Sequence, residues 1–191
     1  MVRGSPNPLY FGLPARLRKV RKQAGLTRAA LGYKVSRDSE VTADIEAGER
    51  IPTVGMLARL ATVLRISPGW LGFGIGEPHS EGLSATTDGM RDRVQSVRLE
   101  RQLTKAALAR QAAISPGTLA DIESGAQTGV DVLEALAKAL GVSPAWLAYG
   151  EGPQLLPPRR RTRTTIETSA KTSTLLDASG PHSQLDPESL R

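Results

Sequence analysis

The 191 residues carry 25 Lys and Arg against 19 Asp and Glu, a formal net charge of +6 at pH 7, with two His and no Cys. Disulfides and thiolate metal sites are therefore excluded, no apolar run reaches the eighteen or so residues of a membrane span, and the N-terminus reads without a continuous apolar signal segment. The length allows one domain or two small ones, and the positive balance suggests an anionic partner, most often nucleic acid. That balance is uneven. Basic side chains outnumber acidic ones over residues 13–78 and from 154 onward, while residues 88–153 are close to neutral.

Residues 1–12 hold Gly4, Pro6, Pro8 and Gly12, which interrupt any helix, so a disordered leader is expected. From Leu13 a helical period begins, with Leu13, Leu17, Val20 and Ala24 on one face. Arg16, Arg18, Lys19 and Lys22 lie outside it, as a solvated face. Gly25 ends this helix. Thr27 is placed to cap a second, from Arg28 to about Val35, with Ala30, Leu31 and Val35 inward. A turn around Ser36-Arg37 leads to Asp38, read as the cap of a third helix that ends at Glu46-Ala47-Gly48. After Pro52, the series Leu57, Leu60, Ala61, Leu64 marks an amphipathic fourth helix. Ser67-Pro68 opens a short fifth, which brings Trp70 and Leu71 back to the core. Residues 75–89, rich in Gly, Ser and Thr, read as a linker.

The plan then repeats. Thr27–Gly48 matches Thr104–Gly125 at an offset of 77, with Leu31 against Leu108 and Asp44-Ile45-Glu46 against Asp121-Ile122-Glu123. A self-match at fixed offset fixes the architecture as two copies of one unit. Val94, Val97, Leu108, Ala109, Ala112 and Ile114 take the inward positions of the second copy, and Ser115-Pro116 opens its third helix. One residue is lost before the fourth helix, so Leu133, Leu136, Ala137, Leu140 and Ser143-Pro144-Ala145-Trp146-Leu147 follow at an offset of 76. Nothing alternates like a strand. At about 65 residues, each copy has only a marginal core. Residues 151–191 read as a disordered polar tail, whose Arg159, Arg160, Arg161 and Arg163 either grip phosphate or stay solvated. His79 and His182 stand in polar, Gly/Pro-rich stretches, away from any constellation that makes a zinc site, a triad or a general base.

Together these residues resemble a tandem pair of helix-turn-helix modules of the Cro and phage-repressor type, also called the xenobiotic-response-element type, over roughly residues 13–150. The resemblance implies an all-α fold of two lambda-repressor-like five-helix DNA-binding domains, at 13–74 and 90–150. In that family an arginine late in helix one pairs with a glutamate ending helix three, and a polar residue opens helix two. Arg21, Arg28 and Glu46 hold those places, as do Arg98, Lys105 and Glu123, with intervals of seven and twenty-five in both copies. The pairs Arg21–Glu46 and Arg98–Glu123 are read as structural, able to be bidentate and costly to break when buried.

By the same resemblance, the start and outer face of helix three enter the major groove. That makes Ser39, Glu40 and Asp44 base-facing in the first copy, and Gly117, Thr118 and Asp121 in the second. Neither helix offers the bidentate donors of strong readout, Arg or Lys to guanine and Asn or Gln to adenine. Phosphate contacts are assigned to Arg28 and Lys105, with Arg50 and Gln127 in the loop after helix three. The first copy departs further, with Arg37 where the second has Ile114 and Thr42 where it has Leu119. Val41, four residues before Ile45, is an alternative inward residue, and its use would slip the readout assignments by one.

The function expected is a cytoplasmic, sequence-specific DNA-binding transcriptional regulator, with double-stranded DNA as partner, a possible homodimer, and no membrane, small-molecule ligand, cofactor or catalysis. A linker of about sixteen residues extends to roughly 50 Å, so one chain can reach two adjacent half-sites, or one module binds DNA while the other dimerises. The alternative function is a protein-interaction or assembly adaptor built on degenerate helix-turn-helix domains, which the acidic third helices favour.

Overall fold

Six of the ten α-helix starts among the described residues are set by hydroxyls. Thr27, Thr53, Ser67, Thr104, Ser115 and Ser143 each accept a hydrogen bond from the backbone N–H three residues on, and each opens a helix. In a computed structural model, which describes residues 8–79 and 86–155, the helices are α1 (Leu13–Gln23), α2 (Arg28–Ser36), α3 (Val41–Ala47), α4 (Val54–Leu64), α5 (Pro68–Phe73), α6 (Met90–Glu100), α7 (Lys105–Gln111), α8 (Pro116–Glu123), α9 (Val130–Ala139) and α10 (Pro144–Tyr149). There is no strand among the described residues. The fold is all-helical, two five-helix units in tandem.

Each unit closes on the apolar faces that the periodicity marks. Leu17, Leu31, Ile45, Leu57, Leu60 and Leu71 are fully enclosed in the first, and Val94, Leu108, Leu119, Leu133, Leu136 and Leu147 in the second. Ala24 is an exception: α1 stops at Gln23 and leaves it exposed. Two further expectations change. A disordered leader is expected over residues 1–12; residues 1–7 lie outside the described residues, but Leu9–Gly12 is a 3-10 turn, held because Glu134 accepts from the N–H groups of Leu9 (2.6 Å) and Tyr10 (3.0 Å). Arg16 does not belong to a solvated face. It donates to the carbonyls of Leu71 and Gly72 at the end of α5, as Arg93 does to Leu147 and Ala148 at the end of α10. Four C-terminal carbonyls of short helices are satisfied this way.

The first copy's turn differs because its second helix is longer. Helix α2 runs on to Ser36 and ends with Arg37 in the left-handed region at φ 57°. In the second copy α7 stops at Gln111, and Ala113, one position earlier than Arg37 by the repeat, takes φ 55°. The longer α2 delays α3 to Val41, whereas α8 starts at Pro116. Asp38 therefore does not cap the third helix; its Oδ1 accepts from Glu40 N–H within the turn. Val41 and Thr42 are both buried, so the first copy encloses Val41 together with Thr42 at the position of Leu119.

The two units pack directly on one another. Val54 N–H donates to Thr128 O (2.9 Å) and Val130 N–H donates to Pro52 O (3.1 Å), so Thr53 and Gly129 face each other antiparallel. These positions correspond under the offset of 76, and the two bonds exchange under a two-fold rotation. Helices α5 and α10, also equivalent, cross at the same axis. A Cβ placed on Gly69 would lie 2.7 Å from Ala145 Cβ and 2.6 Å from Glu151 Oε2. The segments that follow α5 and α10 return in parallel fashion, Pro78 O accepting from Ser67 N–H and Gln154 O from Ser143 N–H.

The second unit thus runs past residue 150, where the tail was drawn: Glu151 is buried, and its Oε2 accepts from Ser67 Oγ (2.6 Å) and Gly69 N–H (3.0 Å). The linker likewise starts later than expected, since Pro78 still packs on the first unit. Residues 80–85 and the tail from 156, with its four arginines, lie outside the described residues.

Gly69→Ala tests this crossing. Its backbone is compatible with Ala, so helix propensity alone favours the substitution, whereas overpacking against Ala145 and Glu151 is expected to cost about 1–3 kcal/mol. Urea unfolding of the full chain reads which effect wins; an unchanged or raised midpoint would remove the close crossing.

Candidate nucleic-acid interface

A helix-turn-helix unit presents its third helix only if that helix is fixed against the first. Here a buried carboxylate does the fixing. Arg21 Nε donates to Glu46 Oε1 (2.6 Å), Arg21 Nη2 donates to Glu46 Oε2 (3.0 Å), and Arg21 Nη1 donates to Leu26 O (2.7 Å). Arg98 repeats the arrangement on Glu123 (2.6 and 3.3 Å) and on Leu103 O (2.9 Å). The planar guanidinium thereby ties helix one, the following turn and helix three together.

A second cation joins each carboxylate. Arg28 Nε donates to Glu46 Oε2 at 2.8 Å, and Lys105 Nζ lies 3.2 Å from Glu123 Oε2. Glu46 has no exposed side-chain surface, yet Arg28 and Lys105 are each 51% exposed. The first residue of helix two thus lends part of its charge to the brace and keeps the rest at the surface. Arg28 has two terminal nitrogens and Lys105 two further N–H donors for a ligand. Arg18, which the sequence reading left on a solvated face, also donates to Glu46 O (3.1 Å).

The base-facing candidates are placed unequally. Ser39 and Glu40 are exposed and precede α3, Glu40 as its N-cap, while Asp44 sits within the helix, partly covered. Arg50, expected on phosphate, instead stands between two acids of this face, 3.5 Å from Asp38 and 3.7 Å from Asp44. Gly117 and Asp121 are exposed on α8, and Thr118 is half-buried with its hydroxyl tied to Ser115 Oγ (2.8 Å). Asp121 has no ion-pair partner among the described residues. Gln127, the other loop candidate for phosphate, is turned away: its Oε1 accepts from Gly55 N–H (3.0 Å) across the unit interface. A loop side chain beside an open helix N-terminus finds a backbone donor there, which no pattern in the sequence marks.

Burial works to raise the carboxyl pKa of Glu46 and Glu123. The hydrogen bonds and charges of Arg21 and Arg28, and of Arg98 and Lys105, outweigh it and hold both below the ordinary carboxylate value. A depressed folded-state pKa contributes stability that is complete above the unfolded value of about 4.3 and disappears as pH falls through the folded value. Stability is therefore expected to drop below about pH 4.3, and the part of that drop due to Glu123 should be absent in Glu123→Gln. Glu123→Ala, which leaves Arg98 buried without its carboxylate, is expected to cost about 3–5 kcal/mol at pH 7. Denaturant unfolding at pH 7 and pH 3.5 reads both; a loss below 1 kcal/mol for Glu123→Ala would show that the pair braces nothing.

Among the described residues no group of His, Cys, Asp or Glu is placed to hold a metal ion, and no helix is long and apolar enough to cross a membrane. Compared with known proteins, residues 13–69 match the family model described as a helix-turn-helix domain, and residues 94–147 match the one described as helix-turn-helix, of the Cro and xenobiotic-response-element type. No curated protein and no solved structure matched the chain. The first match covers helices one to four and the opening of the fifth, and the second runs from Val94 within its first helix into its fifth, so the bracing carboxylates, the second helices and the third helices all fall inside. Such domains point to a DNA-binding regulator. The chain carries two helix-turn-helix domains in tandem, one in each unit.

Proposed function

We propose that the chain is a cytoplasmic transcriptional regulator that binds double-stranded DNA in a sequence-specific way and carries out no catalysis. The observation that carries this reading is the repeated placement of a half-exposed cation, Arg28 and Lys105, at the first residue of helix two beside a buried carboxylate. A cation in that position is oriented by its partner while its remaining donors face outward, which suits a backbone phosphate. The N-termini of α2 and α7 add backbone N–H groups of the right polarity. On this reading α3 and α8 enter the major groove, where Glu40 accepts from a cytosine amino group, Thr118 touches a thymine methyl, and Ser39, Asp44, Gly117 and Asp121 line the remaining contact. Because strong bidentate donors are missing from both helices, backbone contacts supply most of the affinity and the base contacts a modest discrimination.

A second reading, an assembly adaptor, is favoured by one observation: the exposed faces of both third helices are acidic or neutral. A salt titration separates the two. Binding to a mixture of genomic DNA fragments should weaken steeply with salt, and Arg28→Ala and Lys105→Ala should each flatten the log–log slope by about one. Gln127→Ala should leave that slope unchanged, since its amide oxygen serves the unit interface. Absence of any retention at low salt would reject DNA binding and favour the adaptor.

A further inference from the structure

The axis between the two units relates their backbones but not their side chains. Four polar groups of the second unit reach across it. Tyr149 Oη donates to Val54 O (3.0 Å), Glu151 caps α5, Gln127 caps α4, and Glu134 holds the turn at Leu9 and Tyr10. Burial, and then the nearby charge of Glu151, push the Tyr149 phenol well above its ordinary pKa, so it stays a donor. By the offset of 76, the first unit has Phe73, Ile75, Ile51 and Ala58 at these four places. None of them can make the reciprocal bond. At the crossing of α5 and α10 the difference is steric: Gly69 stands opposite Ala145, with no space for a Cβ on the first side.

These differences discriminate among pairings. Two first units brought together would lack all four polar contacts. Two second units would set Ala145 against Ala145, where the Gly69 geometry shows a Cβ–Cβ approach of 2.7 Å that backbone would have to shift to relieve. Only the unlike pair satisfies both, and one chain contains it. An isologous surface already occupied within the molecule is closed to a second copy. A two-fold rotation also leaves any component along its axis unchanged, so whatever direction the outer face of α3 takes along the axis, α8 takes as well. A pair of readers related in this way can match the local dyads of a duplex.

We propose that one molecule, acting alone, does what a symmetric dimer would do: it occupies a two-part DNA site whose halves differ in sequence, with no second copy. This rests on the DNA-binding reading above. The halves are unequal because the faces are: Ser39, Glu40 and Asp44 beside Arg50 on one side, Gly117, Thr118 and Asp121, without an ion-pair partner among the described residues, on the other.

The test has two arms, both on the full chain. In the first, sedimentation of the free protein at micromolar concentration should give a monomer; a dimer would overturn the closed pairing whatever the DNA does. In the second, the chain selects from duplexes with a randomised stretch of about 30 base pairs, and the mass of the complex with a selected duplex is measured. One chain per duplex is expected. The selected site is then rebuilt as two palindromes, each half joined to its own inverted copy, and both should bind more weakly by about tenfold or more. Two chains per duplex, or a palindrome bound as tightly as the selected site, overturns the proposal. If no duplex is retained even at low salt, the DNA-binding function falls and this site with it, while the sedimentation arm still decides the pairing.

Discussion

The first N–H groups of a helix have no partner within it, and in this molecule that deficit is where the two units meet. Val54 and Val130 are the first residues of α4 and α9, and each donates to a carbonyl of the opposite unit. Two groups that would otherwise be left to water become the centre of a contact that also encloses α5, α10 and Tyr149. A unit of about 65 residues holds a small core. Where the two cores join at their helix starts, the short fifth helices are buried, with Leu71 and Phe73 enclosed on one and Ala145, Leu147 and Ala148 on the other. The closeness of that packing explains why Gly69 carries no side chain.

The braces on Glu46 and Glu123 set a second constraint, which bears on function. A buried carboxylate needs its cations, and the cation of helix two divides between that need and the surface. Arg28 and Lys105 are therefore oriented rather than free, an arrangement suited to gripping backbone and unsuited to reading bases. The third helices add little donor capacity of their own, and Arg50 is spent on the acids of its own face. On the proposed function, recognition would lean on phosphate spacing and on two weak readers instead of one strong reader, and the joining of the units would matter more than any single base contact.

Much of this was legible in the sequence. The offset of 77 that falls to 76 gave the tandem architecture, and the hydroxyls of Thr27, Ser67, Thr104, Ser115 and Ser143 marked the starts of α2, α5, α7, α8 and α10. The resemblance to the Cro and phage-repressor type gave the pairing of Arg21 with Glu46 and of Arg98 with Glu123, while the sharing of each carboxylate by Arg28 and Lys105 emerged only in the structure. Three features were not legible, each for a physical reason. The delayed start of α3 follows from a left-handed Arg37, a conformation that Gly or Asn announces and Arg does not. The docking of Leu9–Gly12 depends on Glu134, more than a hundred residues away, with no local signal. The unit interface is made by backbone groups at helix starts and by isolated side chains such as Gln127 and Glu151, which have no period. Even so, the residue lost between the copies lies in the loop that forms the axis, so the change of offset marked the place without revealing its use.

The central claim is that the two helix starts bond to one another across the axis, and amide hydrogen exchange at Val54 and Val130 addresses it directly. A first-turn N–H without a partner exchanges fast even in a stable helix. If the units are joined as described, both amides should exchange slowly in the full chain, with protection close to that of the enclosed core amides of Leu57 and Leu133. Fast exchange at Val54 and Val130, with the cores still protected, would contradict the joined pair and leave two independent domains on a tether.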